Sequence, residues 1–237
     1  GDNLVLDNLN FTIFEGESIV LIGPSGSGKT VLLKLLAGVT PPTTGEILIH
    51  GESWQSLESE EKHHLARKIG MMFQQGALFD TLTALENVEF PIREHYDYPE
   101  EKIHELAKEF LNRVNLGDSY HKIPSELSGG MQKRLAIARA LVLSPEVVFY
   151  DDPVAGQDPI QSDKMSDLIM EFKEKNNSTM ILATSNMRTA FKVASRILMV
   201  INKSIIDAGS PEQTKKSSNE MVQQFINGRL KGPIKPR

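Results

Sequence analysis

The chain has 237 residues, enough for one large domain or two small ones, and its 40% hydrophobic and 24% charged content is ordinary for a globular protein. Its net charge of −5 and pI near 5.7 argue against a basic nucleic-acid footprint, so no nucleic acid is expected as a partner. The absence of cysteine excludes disulfide scaffolds and cysteine-based metal or nucleophile sites, and no run approaches the ~20 apolar residues of a spanning helix.

The first residues, Gly1-Asp2-Asn3-Leu4, show neither an initiator Met nor a signal-peptide pattern, and a chain trimmed of a short N-terminal piece is expected. Leu4-Val5-Leu6 and Phe11-Thr12-Ile13-Phe14 read as short strands of a small antiparallel β-layer, with turns at Asp7-Asn8 and Glu15-Gly16-Glu17. Residues 18–22 form an apolar run typical of a buried strand. They lead into Gly23-Pro24-Ser25-Gly26-Ser27-Gly28-Lys29-Thr30, the G-x-x-x-x-G-K-T pattern of a phosphate-binding loop. Residues 31–37 then read as a helix that stops at Gly38.

A phosphate tail carries several charges and needs many donors at short range. Gly26 and Gly28 carry no side chain that would cover the backbone N–H groups. The helix opening at Val31 adds free N–H groups and a partial positive charge. Lys29 brings a point charge to the β- and γ-phosphates, and the Thr30 hydroxyl can ligate Mg²⁺. A nucleoside triphosphate with Mg²⁺ is therefore the expected ligand.

Pro41-Pro42-Thr43-Thr44-Gly45 is a turn, and residues 46–50 read as another strand that Gly51 ends. Residues 56–68 are polar and helix-prone, and residues 69–73 form a buried strand broken by Gln74-Gln75-Gly76. From 83 to about 115 the pattern is helical, interrupted by Pro91 and by Asp97-Tyr98-Pro99, and reads as an inserted helical subdomain. A loop over 121–126 precedes Leu127-Ser128-Gly129-Gly130 and a helix over 131–143. Residues 147–150 are a continuous apolar strand of the kind buried in a parallel sheet. Asp158 as N-cap and Pro159 at the first position open a helix to about 175. Strands at 179–183 and 197–201 flank a helix at about 187–194. Residues 205–208 close the sheet, and 221–226 form a short helix before a basic, Pro/Gly-containing tail (Arg229, Lys231, Lys235, Arg237) that reads as a solvated terminus. His63-His64 reads as a solvated helix face rather than a metal site, because adjacent helical side chains point apart.

Asp151 ends the 147–150 strand. In a phosphate-loop protein that position holds the Mg²⁺ shell opposite Thr30. Leu127-Ser128-Gly129-Gly130-Met131-Gln132 places a serine and two glycines at a helix N-terminus, a second anion site. Here the chain resembles the ATP-binding-cassette (ABC) family, whose signature is L-S-G-G-x-Q.

The resemblance covers essentially the whole chain. It implies an α/β P-loop NTPase cassette with a RecA-like, mostly parallel sheet, an antiparallel β-subdomain and an inserted helical subdomain. The chain would be one ATP-binding domain, with a catalytic core at about 1–82 and 144–210, a helical subdomain at about 83–143 and a C-terminal extension at 211–237. It implies ATP and Mg²⁺ as cofactors and a second cassette as partner, with homodimers closing head to tail. The signature residues Ser128, Gly129, Gly130 and Gln132 of one chain would then close over the ATP on the other. Gln74 matches the Q-loop glutamine, which touches the metal shell and the attacking water and faces the membrane partner; Gln75 is the alternative. Val154-Ala155-Gly156-Gln157-Asp158 occupies the D-loop position, with Asp158 as its acid. The aromatic residue that stacks on adenine in the family would lie before Gly1.

Two departures matter. The residue after the metal-shell aspartate is usually Glu, the base that polarises the attacking water; here it is Asp152, whose carboxylate sits roughly 1.5 Å back. A misplacement of ~1 Å can cost on the order of 100-fold in rate. The switch histidine is also missing: the chain reads Thr184-Ser185-Asn186, with Ser185 in the histidine's place and Asn186 as second candidate. A binding-competent, slowly hydrolysing cassette is expected. The alternatives are a nucleotide-gated regulatory module or the degenerate half of a heterodimeric pair.

Within the family the chain resembles the Mla/Mce-type lipid transporters. Its Phe73-Gln74-Gln75-Gly76-Ala77-Leu78-Phe79 is close to F-Q-x-G-A-L-F, and its Glu86-Asn87-Val88 with Pro91-Ile92-Arg93-Glu94-His95 is close to N-V…P-L-R-E-H. Gly156-Gln157-Asp158-Pro159, the Val222-Gln223-Gln224-Phe225 segment and Gly232-Pro233 also match that branch. The resemblance implies a membrane permease, a periplasmic Mce-type lipid-carrying protein and a small cytoplasmic regulator as partners. It also implies phospholipid or another apolar cargo and a peripheral place on the cytoplasmic face of the inner membrane.

Overall fold

A computed structural model describes residues 4–235; the start 1–3 and Arg237 of the basic tail lie outside the described residues. In chain order the elements are β1 (Ser18–Ile22), α1 (Lys29–Leu36), β2 (Leu48–Ile49), β3 (Glu52–Ser53), α2 (Ser59–Ala66), β4 (Ile69–Met72), α3 (Ala84–His95), α4 (Glu100–Arg113), α5 (Gly129–Leu141), β5 (Val147–Asp151), α6 (Pro159–Asn176), β6 (Thr179–Ala183), α7 (Met187–Val193), β7 (Arg196–Ile201), β8 (Ser204–Gly209), α8 (Pro211–Lys215) and α9 (Glu220–Ile226).

Six strands make one sheet in the order β4-β5-β6-β1-β7-β8. Every pair is parallel except β7–β8, a hairpin closed by Asn202 and Lys203, both with positive φ. Two successive positive-φ residues suit the twist of a two-residue hairpin, and asparagine tolerates that region. The all-apolar runs of β1, β5, β6 and β7 follow from burial on both faces. Along β1, Val20 and Ile22 pack with the helical side that holds Leu135, Ile169 and Phe172, while Ile19 and Leu21 pack against Leu32 and Leu33 of α1.

In this order β1 lies between β6 and β7, with β5 beyond β6. The C-terminal ends of β1, β5 and β6 therefore stand side by side, as the registers Leu21↔Ala183 and Asp151↔Ala183 record. Ligands of open parallel sheets bind beyond such strand ends. The second, antiparallel sheet is small, two residues of β2 on two of β3.

Three sequence expectations are corrected. Residues 4–14 form no strand: Asp7 N–H donates to the Lys203 carbonyl at 2.8 Å, but no ladder follows, and the antiparallel layer is built at 48–53 instead. The strand expected over 46–50 is only Leu48–Ile49, and Gly51, with His50, turns it back onto β3 rather than ending it. Pro91 does not interrupt the helical segment: α3 runs through it, and the break falls at 96–99. A proline removes one helical hydrogen bond; here a Thr83–Glu86 capping box and the burial of Leu85, Val88 and Ile92 hold the helix around it.

Candidate functional site

The loop between β1 and α1 is tightly fixed. Gly23 has φ 143, and a Cβ there would meet the Val200 carbonyl oxygen at 2.2 Å. Gly28, at φ 105, lies against Leu6 and Val5, and a Cβ would meet Leu6 at 2.9 Å. Lys29 folds back over the loop, its Nζ donating to the carbonyls of Gly23 at 2.7 Å and Pro24 at 2.9 Å. Burial pushes its ammonium below the ordinary value, against the pull of Asp152 and Asp151. Ser25, Gly26 and Val31 are exposed, and the half-buried Ser27 has a hydroxyl oxygen, closed to solvent, without a hydrogen-bond partner. A buried polar atom in that state calls for a ligand or water.

Thr30 Oγ1 donates to Asp151 Oδ1 at 3.0 Å, joining α1 to the end of β5. Burial raises the Asp151 carboxyl above the usual carboxylate range, while the Thr30 hydroxyl pulls it down. A hydroxyl and one carboxylate fit Mg²⁺, which takes few protein ligands and completes its shell with phosphate oxygens and water. Thr30 and Asp151 are the residues that would hold it. No group of three or more His, Cys, Asp or Glu side chains suited to a metal is present among the described residues.

Asp152 follows in the left-handed region, φ 46. Its N–H donates to the Ala183 carbonyl at 2.8 Å, and its Oδ1 accepts from Thr184 Oγ1 at 3.0 Å. Ser185 is exposed beyond β6. Asn186, the second candidate for the switch position, instead caps α7, its Oδ1 accepting from Thr189 N–H at 3.1 Å. Gln74 is exposed just past β4. Arg139 of α5 fixes the loop behind it, donating to the carbonyls of Ala77 at 2.7 Å and Gly76 at 3.0 Å. Asn87, fully buried, donates to the Phe79, Leu82 and Thr83 carbonyls and so ties the same loop to α3.

The signature segment opens α5, one residue pair earlier than the helix read from the sequence. Ser128 is its N-cap, accepting from Met131 N–H at 3.3 Å. A Cβ at Gly129 or Gly130 would meet nothing within 4 Å, so packing among the described residues gives no reason for either glycine. Gln132 turns inward, its Nε2 donating to the carbonyls of Pro124 at 2.8 Å and Leu127 at 3.2 Å. Asp158 Oδ1 accepts from Ile160 and Gln161 N–H, both at 2.9 Å, and so caps α6. Immediately after the signature, Lys133 reaches the Ala155 carbonyl of the D-loop segment. Burial lowers its ammonium below the ordinary value, opposed by the charge of Asp152.

Thus the fold gathers residues 23–30, Asp151 and Asp152 at the C-terminal end of the sheet, with Ser185 two residues beyond the end of β6. Ser128, Gly129 and Gly130 instead head α5, in a separate segment. Sequence reasoning passed over Thr184, Lys133 and Arg139. Of these, only Thr184 left a signal, as the first polar residue beyond an apolar strand.

Comparison with known proteins agrees with this geometry. A family profile described as ABC transporter matches residues 6–155. The chain is 38% identical over 99% of its length to the intermembrane phospholipid transport system ATP-binding protein MlaF of Haemophilus influenzae, spanning 89% of that protein. It is 33% identical to the Escherichia coli K12 MlaF over 99% of the chain and 87% of the relative. It is also 38% identical to the probable ribonucleotide transport ATP-binding protein mkl of Mycobacterium bovis, over 99% of the chain but 65% of that protein. Among solved structures, the fold matches the dimeric post-hydrolysis state of the cassette MJ0796 bound to ADP and Pi, with a TM-score of 0.81 at 33% identity over 86% of this chain and 90% of that one. The chain belongs to the ABC transporter family, as an ATP-binding subunit with an ABC-type ATPase cassette.

Proposed function

We propose that this cassette drives phospholipid, or a similarly apolar molecule, through a membrane permease, by closing as a head-to-tail dimer on two ATP molecules. The single observation that carries the cargo is the 38% identity to the Haemophilus influenzae MlaF across 99% of this chain and 89% of the relative. The ribonucleotide transport relative has equal identity, yet this chain accounts for only 65% of it.

Dimer closure is supported by the signature geometry. Gly129 and Gly130 leave open space at the start of α5 that nothing among the described residues fills, and Ser128 is exposed beside them. A helix start bare of side chains admits a triphosphate tail presented by another copy. In each site residues 23–30 hold the β- and γ-phosphates, Lys29 exchanging its loop carbonyls for phosphate oxygens. Thr30 and Asp151 would hold Mg²⁺, which would supply positive charge to offset that of the transferred phosphoryl group. Gln74 orients water from the edge of β4. Asp152 takes the water's proton, at a modest rate because its carboxylate is short and Ser185 offers no ring N–H to the γ-phosphate. Gln132 and Asp158 act through the shape of the signature and D-loop segments, which their hydrogen bonds set.

No helix among the described residues is long and apolar enough to cross a membrane, so the permease supplies the pathway. A periplasmic Mce-type carrier and a small cytoplasmic regulator complete the proposed assembly, with the cassette on the inner-membrane face.

The test is to purify the native complex, identify its subunits, reconstitute it in vesicles and follow a fluorescent phospholipid with and without MgATP. ATP-dependent lipid movement that disappears in Lys29→Ala is expected. ATP-dependent uptake of a ribonucleotide with no lipid movement would replace this cargo with that of the mycobacterial relative.

A further inference from the structure

Thr184 is fully buried at the end of β6, its N–H donating to the Leu21 carbonyl at 3.0 Å. Its hydroxyl has two partners of fixed character. The Asn186 backbone N–H, which can only donate, points at Thr184 Oγ1 from 3.0 Å. Asp152 Oδ1, which when ionised can only accept, lies 3.0 Å away on the other side. The hydroxyl proton is therefore committed to Asp152. A chain of two hydrogen bonds runs from the start of α7 through Thr184 to the carboxylate.

Asp152 is otherwise held only through its backbone. Its left-handed φ, its N–H on the Ala183 carbonyl and its carbonyl on Ala155 N–H at 3.1 Å fix the Cα but leave the side chain free to rotate. The Thr184 bond removes that freedom. It occupies Oδ1 and leaves Oδ2 as the oxygen without a hydrogen-bond partner among the described residues. Lys29 and Lys133 place their charges near the same carboxylate from two other elements, without a hydrogen bond to it.

We propose that Thr184 is a positioning residue for hydrolysis: it orients the short Asp152 carboxylate so that Oδ2 faces the attacking water, the orientation that no side chain at Ser185 supplies. This rests on Asp152 being the base, as proposed above. The same hydroxyl also forms a local turn by accepting from Asn186 N–H, a bond a threonine makes for purely structural reasons. The two roles separate by background. With Glu at position 152 the carboxylate would lie roughly 1.5 Å further out, beyond the reach of a 3.0 Å bond to Thr184, whereas the turn would be unchanged.

The experiment is single-turnover hydrolysis of ATP by the assembled transporter carrying Thr184→Val, Thr184→Ser, Asp152→Asn, Asp152→Glu and the double substitution Asp152→Glu with Thr184→Val, with melting temperature and ATP affinity measured for each. Thr184→Val is expected to lower the hydrolysis rate about tenfold with ATP affinity within about twofold, and Thr184→Ser to restore it. In the Asp152→Glu background the valine is expected to cost less than about threefold, since no braced carboxylate remains for it to release. A valine chain that hydrolyses at the native rate overturns the proposal. So does an equal loss in both backgrounds, which would mark Thr184 as a turn residue. Should the valine variant fold poorly, Thr184→Ala takes its place under the same comparison. Asp152→Asn tests the base separately: undiminished hydrolysis there overturns Asp152 itself, whereas loss there with no effect of Thr184→Val overturns only the brace.

Discussion

Thr30 and Asp151 stand 121 residues apart in the chain, yet their side chains meet at 3.0 Å. The contact exists because β1, which feeds the phosphate loop, lies one strand away from β5 in the sheet, with β6 between them. It places a hydroxyl and a buried carboxylate where a divalent cation would join them to a triphosphate. Thr30→Val and Asp151→Asn are each expected to lower MgATP hydrolysis by about 10²–10³-fold. Binding of ATP in EDTA should change far less, because the loop N–H groups and Lys29 remain. Steady-state hydrolysis assays check the first expectation, and equilibrium titration with a fluorescent ATP analogue, with and without Mg²⁺, checks the second.

The short base makes a second prediction. Asp152→Glu moves the carboxylate outward, and a single-turnover rate about tenfold above the native chain is expected. An unchanged rate would mean that the braced aspartate already sits where the water needs it.

Glu89 lies on α3 with its side chain 4% exposed, accepting from Arg93 Nη2 at 3.1 Å and paired with His104 Nδ1 of α4 at 2.7 Å. Glu89 is the buried member, while the Arg93 side chain is 41% exposed, so losing Arg93 leaves the carboxylate with His104 alone, whereas losing Glu89 leaves only solvated cations. Arg93→Leu is therefore expected to destabilise the chain by about 1–2 kcal/mol, and Glu89→Leu by clearly less. Urea unfolding of the two variants beside the native chain measures the difference; equal losses would contradict it.

Arg196 ties the N-terminal segment to the β7–β8 hairpin. Its Nη1 donates to the Thr12 carbonyl at 3.0 Å, and its Nε and Nη2 donate to Asp207 Oδ2 at 3.0 and 2.6 Å. The guanidinium holds the Asp207 carboxyl below its ordinary value of 3.8. A depressed carboxyl contributes stability above that ordinary value and loses it as pH falls through the lower folded value. Because Asp207 is half exposed and screened, Arg196→Met is expected to cost only about 0.5–1 kcal/mol at pH 7. The gap to the native chain should narrow in melts taken below pH 3.8.

Much of the site's address was legible in the sequence, because its phosphate loop is local. Strand, glycine loop and helix follow one another within residues 18–36, and no distant contact is needed to read them. The apolar runs of β5, β6 and β7 were equally plain, since burial on both faces leaves no polar residue to confuse the period. The segment 4–14 carries short apolar stretches too, but a strand is made by its partner, and here one backbone bond to Lys203, among the described residues, stands in place of a ladder. Pro91 reads as a break because local propensity is blind to the capping box and the buried face that hold α3 together. Thr184 was out of reach for a different reason: its link to Asp152 spans 32 residues and depends on the β5–β6 register that sets Asp151 against Ala183. No spacing rule encodes that register.

The most direct measurement of the account is the mass in solution of the full native chain carrying Asp152→Asn, by light scattering, with the permease present and absent, before and after MgATP. Two copies closed on ATP are expected, so the cassette should pair when nucleotide is added and separate when it is withdrawn. A chain that binds MgATP and stays a single copy under every one of these conditions would contradict it.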